Sequence, residues 1–70
     1  MTRYRNPFSG VKSYEIGEDF IRIRFSTGTY TYTIESVGAY HLSNLIRLAQ
    51  RGVGLNSYIN KNKDVKNGYI

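Results

Sequence analysis

Two short stretches alternate at period two: Phe-Ile-Arg-Ile-Arg-Phe at 20–25 and Thr-Tyr-Thr-Tyr-Thr-Ile at 29–34. Strand formers in that pattern describe two strands, each with one buried and one solvated face. The link Ser26-Thr27-Gly28-Thr29 has room for a tight hairpin and little else. A two-residue turn at Thr27-Gly28 predicts Phe25 opposite Tyr30, Ile23 opposite Tyr32 and Ile21 opposite Ile34. It also sets Arg24 opposite Thr31 and Arg22 opposite Thr33. Every large apolar group from Ile21 to Ile34 then falls on one face.

That face needs neighbours and a cover. Residues 11–16 (Val-Lys-Ser-Tyr-Glu-Ile) read as a preceding strand. A two-residue turn at Glu18-Asp19 puts Ile16 opposite Ile21, Tyr14 opposite Ile23 and Glu15 opposite Arg22. A longer turn would swap the faces of this strand; the tight one buries the larger side chains. From Val37 to Arg51, Leu42, Leu45, Ile46, Leu48 and Ala49 recur at helical spacing. Ser36 is the expected N-cap, with Glu35 beside it, Gly38 weakening the first turn, and Arg47 and Arg51 near the far end. Gly52 is the expected left-handed C-cap. Residues 55–60 suggest a short helical turn packing Leu55 and Ile59 under the sheet's edge.

The expected fold is α+β: a three-stranded antiparallel meander packed on one main helix, plus a short C-terminal helical turn. Around this single domain (11–60) lie a basic N-terminal arm (1–10) and a basic polar tail (61–70) with an Asn67-Gly68 turn signal. Strand 29–34 is an outer strand without Pro, Lys or Arg, hence a template for another strand. Either residues 63–67 fold back over it or two copies pair there.

At 70 residues and 8.1 kDa the chain has room for one modest core. With no Cys, packing alone must stabilise it, and a cytoplasmic setting is the expectation. No apolar run reaches the ~18 residues of a membrane span. The first residues carry charges with no apolar stretch behind them, which argues against a secretory leader. The net charge is +5. It resides at the ends, because Arg22, Arg24, Arg47 and Arg51 balance Glu15, Glu18, Asp19 and Glu35 in the body. Basic termini suit arms that follow phosphates, or simply solvation.

The order of elements, with Val11 and Ser13, then Phe25, Gly28, Tyr30 and Tyr32, resembles the KTSC domain, named for its place at the C-terminus of some lysyl-tRNA synthetases. Ala39-Tyr40 is similar to the family's Val-Tyr at the helix start. Gly52, Asn56 and Ile59 resemble its Gly-x-Tyr-Phe-Asn-x-x-Ile. The resemblance covers most of residues 9–60. Gly54 and Leu55 stand where the family has Tyr and Phe, Glu15-Ile16-Gly17 replaces Gly-Tyr-Asp, and Ser36 lies near the place of a Pro. The resemblance implies a small α+β module of bacterial or phage type, binding nucleic acid and without catalysis.

The residues themselves carry no enzyme signature and imply no cofactor. His41 has no Cys or nearby acid, so a metal site lacks ligands and a partly exposed surface histidine is expected. Glu18-Asp19 belongs in a turn, where neighbouring carboxylates diverge. Gly52-Val53-Gly54 follows a helix, whereas phosphate loops precede one. Ser9, Ser13 and Ser43 have no base within sequence reach. The open face of the sheet should show Ser13, Glu15, Arg22, Arg24, Thr29, Thr31 and Thr33, with Phe20 its one candidate aromatic. Beyond the helix, Arg51, Asn56, Tyr58, Lys61, Lys63 and Lys66 interleave cations, amides and an aromatic as single-strand sites do. The plainer account of that stretch is a Tyr58 packed on the core among solubilising lysines. Tyr14, Tyr30, Tyr32 and Tyr40 suit the core or its rim; Tyr69 sits in the tail.

The candidate nucleic-acid set is therefore Arg3, Arg5, Lys12, Arg22, Arg24, Arg51, Asn56, Tyr58, Lys61, Lys63 and Lys66, with RNA expected before DNA. The rival expectation is a protein-interaction or homodimer module working through strand 29–34.

Overall fold

The Glu18–Asp19 turn closes as tightly as the sequence predicts. In a computed structural model describing residues 1–70, strand β2 (Val11–Ile16) pairs antiparallel with β3 (Phe20–Phe25). Ile16 faces Ile21, Glu15 faces Arg22 and Tyr14 faces Ile23. The Gly17 N–H donates to the Phe20 carbonyl at 2.9 Å, and the Phe20 ring lies where a Gly17 side chain would be. The ladder then breaks. Ser13 pairs with Arg24 but Val11 pairs with Phe25, so Lys12 is the extra residue of a β-bulge. Strict alternation back from buried Tyr14 would send Lys12 inward and Val11 outward. The bulge reverses this: Val11 is 1% exposed and Lys12 is exposed.

The hairpin between β3 and β4 (Gly28–Thr33) turns one position earlier than expected, at Ser26–Thr27. Phe25 therefore pairs with Gly28, Ile23 with Tyr30 and Ile21 with Tyr32, correcting the predicted pairs by two residues. A two-residue slip preserves the face of every side chain. Ile21, Ile23 and Tyr32 still point into the core, and Arg22, Arg24, Thr29 and Thr31 still share the open face. No non-glycine residue takes a positive φ. The primed turn that favours Gly at its centre is thus absent, and Gly28 leaves the turn at φ 151.

The helix expected over Val37–Arg51 begins two residues later, as α2 (Ala39–Arg51) with Gly38 at its N-cap, and an unexpected single turn, α1 (Ile34–Val37), takes Ile34 out of the strand. Ser36 caps neither helix: Thr33 is the N-cap of α1, and Ser36 is its partner there. The two form a capping box, with the Ser36 N–H donating to Thr33 Oγ1 at 3.0 Å and the Thr33 N–H to Ser36 Oγ at 2.9 Å. Gly38, at φ 89 and ψ 158, breaks the run and lets α2 set off in a new direction. Gly52 ends α2 in the left-handed region at φ 84 and ψ 12, as expected. Helix α3 (Leu55–Lys61) buries Leu55 and Ile59, also as expected, and α4 (Lys63–Lys66) follows. No helix is long and apolar enough to cross a membrane.

The sheet has four antiparallel strands in the order β1-β2-β3-β4, one more than expected. The additional strand, β1 (Thr2–Arg3), pairs Thr2 with Tyr14 and Arg3 with Ser13. The architecture is α+β, with the helices on the face carrying Val11, Tyr14, Ile21, Ile23 and Tyr32. Both termini belong to this body rather than extending as an arm and a tail. Tyr4 is 3% exposed; its N–H donates to the Lys12 carbonyl at 3.0 Å and its hydroxyl accepts from the Leu55 N–H at 3.2 Å. Val65 is fully buried. The Ile70 N–H donates to the Thr31 carbonyl at 2.9 Å, so the C-terminus covers part of the outer edge of β4. The surface, 4574 Å², matches the roughly 4,500 Å² of a fully collapsed chain of this mass.

Two substitutions probe this closure. Tyr4→Phe leaves the buried Leu55 N–H without its acceptor and should cost ~1–3 kcal/mol in urea unfolding. At Gly68 an added Cβ would lie 2.6 Å from the Asp64 carbonyl oxygen and 2.7 Å from Val37 Cγ1. Gly68→Ala should therefore destabilise by ~1–3 kcal/mol through overpacking, while Gly38→Ala is strained by its positive φ alone, since open space surrounds that site.

Candidate nucleic-acid interface

The bulge decides where the N-terminal cations go. Register places Arg3 beside Ser13, Ser13 beside Arg24, and Arg24 beside Thr29, one row across the open face. The bulge brings Lys12 to the same place. Arg3, Lys12, Ser13, Arg24, Phe25 and Ser26 line a shallow hollow of about 570 Å³. Three cations meet there, no carboxylate lines it, and none of the three is in an ion pair. Their mutual repulsion is screened by salt but not removed, and a bound anion relieves it.

The next row differs. Arg22 Nη1 lies 2.6 Å from Glu15 Oε1, its Nε donates to Thr31 Oγ1 at 3.2 Å, and its guanidinium sits 5.2 Å from the Phe20 ring centre. Arg22 is thus occupied, as the predicted Glu15 pairing implied. Thr33, Phe20 and Thr31 complete a polar, half-exposed face.

The remaining candidates divide between two other places. Arg5 lays its stem against Gly52, leaving no room for a Cβ there, at the end of α2 where backbone carbonyls favour a cation. Tyr58 turns toward α2: its hydroxyl lies 2.6 Å from His41 Nδ1 and accepts from Asn44 Nδ2 at 3.2 Å. Its ring is half-buried against the core, nearer the plainer account of that stretch than a free stacking aromatic. His41 is accordingly partly buried and hydrogen-bonded. Arg51, Lys61 and Lys63 are exposed and join neither the hollow nor any ion pair.

Asn56 and Lys66 do find partners, in a groove of about 340 Å³ between β4, α3 and the C-terminal residues. Phe25, Tyr30, Tyr32 and Tyr69 line it together with Thr27, Ile59, Asn60 and Asn67. Tyr30 and Tyr32 lie where the sequence placed them, at the core's rim and in the core, but the sequence reading did not mark Asn60 and Asn67 as lining a site. The spacing of Asn56, Ile59 and Asn60 on one helical face was the signal available. Phe25 meets Tyr30 edge-to-face at 5.6 Å, and Tyr30 meets Tyr69 likewise at 4.7 Å. Phe25 and the β3–β4 turn border both the groove and the cationic hollow. Burial, and secondarily the neighbouring Tyr30 and Tyr69 phenols, push the Tyr32 hydroxyl up from 10.0 to about 12. No group of three His, Asp or Glu side chains is placed to hold a metal ion.

Comparison of the chain with protein-family models, with curated proteins and with solved structures finds no significant match.

The Tyr32 shift has a measurable consequence. A phenol whose pKa is raised by folding contributes stability that is complete below 10.0 and is lost as pH rises toward about 12. Absorbance titration of Tyr32→Phe against the parent protein should remove the highest-titrating tyrosine, and should lessen the fall in stability across that alkaline window.

Proposed function

We propose that this chain is a non-catalytic cytoplasmic module that binds single-stranded nucleic acid, RNA before DNA. The observation that carries the reading is the acid-free meeting of Arg3, Lys12 and Arg24 on an open sheet face. Phosphates neutralise such a cluster, and Ser13, Ser26 and Thr29 beside it offer hydroxyls to phosphate or ribose. Arg22, held by Glu15, orients the face more than it charges it. The resemblance to the KTSC domain, named for its place at the C-terminus of some lysyl-tRNA synthetases, favours RNA and rests on the residues quoted for it.

Titration of labelled single-stranded RNA and DNA at several salt concentrations tests the proposal. Three phosphate contacts predict a log–log salt slope of about −2, from ~0.7 per phosphate on a single strand. Arg24→Ala should weaken binding to all sequences alike and flatten the slope by about 0.7. Absence of binding at low salt overturns the reading. The rival reading, two copies pairing through residues 29–34, must first displace the Ile70 N–H from the Thr31 carbonyl. Sedimentation of the free protein at rising concentration separates the two.

A further inference from the structure

The groove beside the hairpin tip has a chemistry different from that of the hollow. Its volume, about 340 Å³, lies near the lower end of the ~300–1,000 Å³ range of small-ligand sites. One ring system with a substituent fits; a long chain does not. Four aromatic side chains from β3, β4 and the C-terminal segment supply flat apolar surface. Asn56, Asn60 and Asn67 supply amides, each carrying donors and an acceptor. None of the three amide side chains bonds to another protein group, whereas Asn44 and Asn62 do. Tyr32, only 2% exposed, reaches the groove floor, and its phenol stays protonated at neutral pH. The one charged liner is Lys66.

Flat faces with paired donors and acceptors at their rim suit a heteroaromatic ring bearing the same groups on its edge. A lysine at the margin suits a phosphate attached to that ring through a sugar. The groove also shares Phe25 with the cationic hollow, so a strand whose phosphates cross Arg3, Lys12 and Arg24 reaches it by rounding the β3–β4 turn.

We propose that this groove is a nucleobase pocket. It takes one unstacked base of a single strand against Tyr30 and Tyr69, with Asn56 and Asn60 on the base edge and Lys66 on the adjoining phosphate. The inference deepens the single-strand reading and rests on it for the path of the chain, but not for the pocket itself. Asn56 and Asn60, one turn apart on α3, present their amides from the same side. Tyr69 is held over the opening by its edge contact with Tyr30 and by the Ile70–Thr31 hydrogen bond.

The test uses the full chain and two kinds of probe. In the first arm, the four ribonucleoside monophosphates and ribose 5-phosphate are titrated separately, followed by tyrosine fluorescence and amide NMR shifts. A saturable response at Asn56, Asn60 and Asn67 to at least one nucleotide, and none to ribose 5-phosphate, is expected. An equal response to ribose 5-phosphate overturns the base assignment in favour of a sugar-phosphate site, and no nucleotide response overturns the pocket. In the second arm, single-stranded RNA is titrated against Asn56→Ala and Tyr69→Leu. Each should lose about tenfold in affinity with the salt slope unchanged, because an edge contact or a stacking surface is lost and no phosphate contact. Lys12→Ala should instead flatten the slope and leave the mononucleotide response intact. Unchanged RNA affinity in both groove variants overturns the pocket while the strand reading survives. Mononucleotide binding without RNA binding overturns the strand reading while the pocket survives. Asn56 and Asn60 are surface residues of α3, so Asn60→Ala repeats the test where Tyr69→Leu loosens the C-terminus.

Discussion

One irregularity, the bulge at Lys12, sets most of what surrounds it. It lets Val11 and Tyr14, three residues apart, both enter the core, where an unbroken strand would bury Lys12 in place of Val11. Burying an unpaired lysine would cost several kcal/mol or strip its charge. The same kink presents the Lys12 carbonyl to the Tyr4 N–H and sets Ser13 opposite Arg3, which adds β1 to the sheet. Tyr4 then reaches across to cap the first turn of α3 through the Leu55 N–H. The core, the fourth strand and the cationic hollow are thus three consequences of a single extra residue.

What was legible in the sequence followed from periodicity, and what was hidden depended on single residues. The β2–β3 register was readable because a two-residue turn puts Tyr14 on the core face with Ile21 and Ile23, although Ile16, at the end of its strand, stays 36% exposed. The β3–β4 register was off by two, yet the faces from Ile21 to Tyr32 were right, since period two cannot distinguish a slip of two from none; only Ile34 leaves the core face, as the exposed first residue of α1. The wrong weight went to Gly28, a turn signal that serves instead just after the turn. Ser36 was misread as the cap of the main helix because it serves a capping box with Thr33 one turn earlier, while Gly38 takes the cap position of α2. Tyr4 and Val65 each sit alone among polar neighbours, so no local pattern announced that they complete the core. The absence of strand-like alternation before Val11 hid β1, whose two residues have no period to show.

The position of charge changes meaning once the termini are folded. Arg3 and Lys12 are brought against Arg24, a residue of the neutral body, so the N-terminal excess becomes a local field on one face. The C-terminal excess does not join it. Lys61 and Lys63 stay solvated, and only Lys66 approaches a concave surface, from the far side of the hairpin tip. The acids explain the rest: Glu15 cancels Arg22 in the second row and thereby confines the unbalanced field to the first. A face that looked uniformly Arg/Thr-rich in sequence is divided by one ion pair into a neutral half and a cationic half.

That division also orders the aromatic residues. The open sheet face carries no stacking platform, because Phe20 is engaged by Arg22 and covers Gly17. Aromatic surface is instead concentrated on the core side of β3 and β4, where Phe25 and Tyr30 are only partly covered and Tyr32 is buried beneath them. The C-terminal segment roofs this surface only in part, anchored at Gly68 where a side chain has no space and at Ile70 by a backbone bond. Phosphate-like and base-like chemistry therefore lie on opposite sides of the sheet and meet only at the β3–β4 turn. A ligand that uses both must be a flexible single strand, since a rigid duplex cannot bend around the thickness of one sheet within a few nucleotides. On the proposed reading, that geometry favours a single-stranded partner over a duplex.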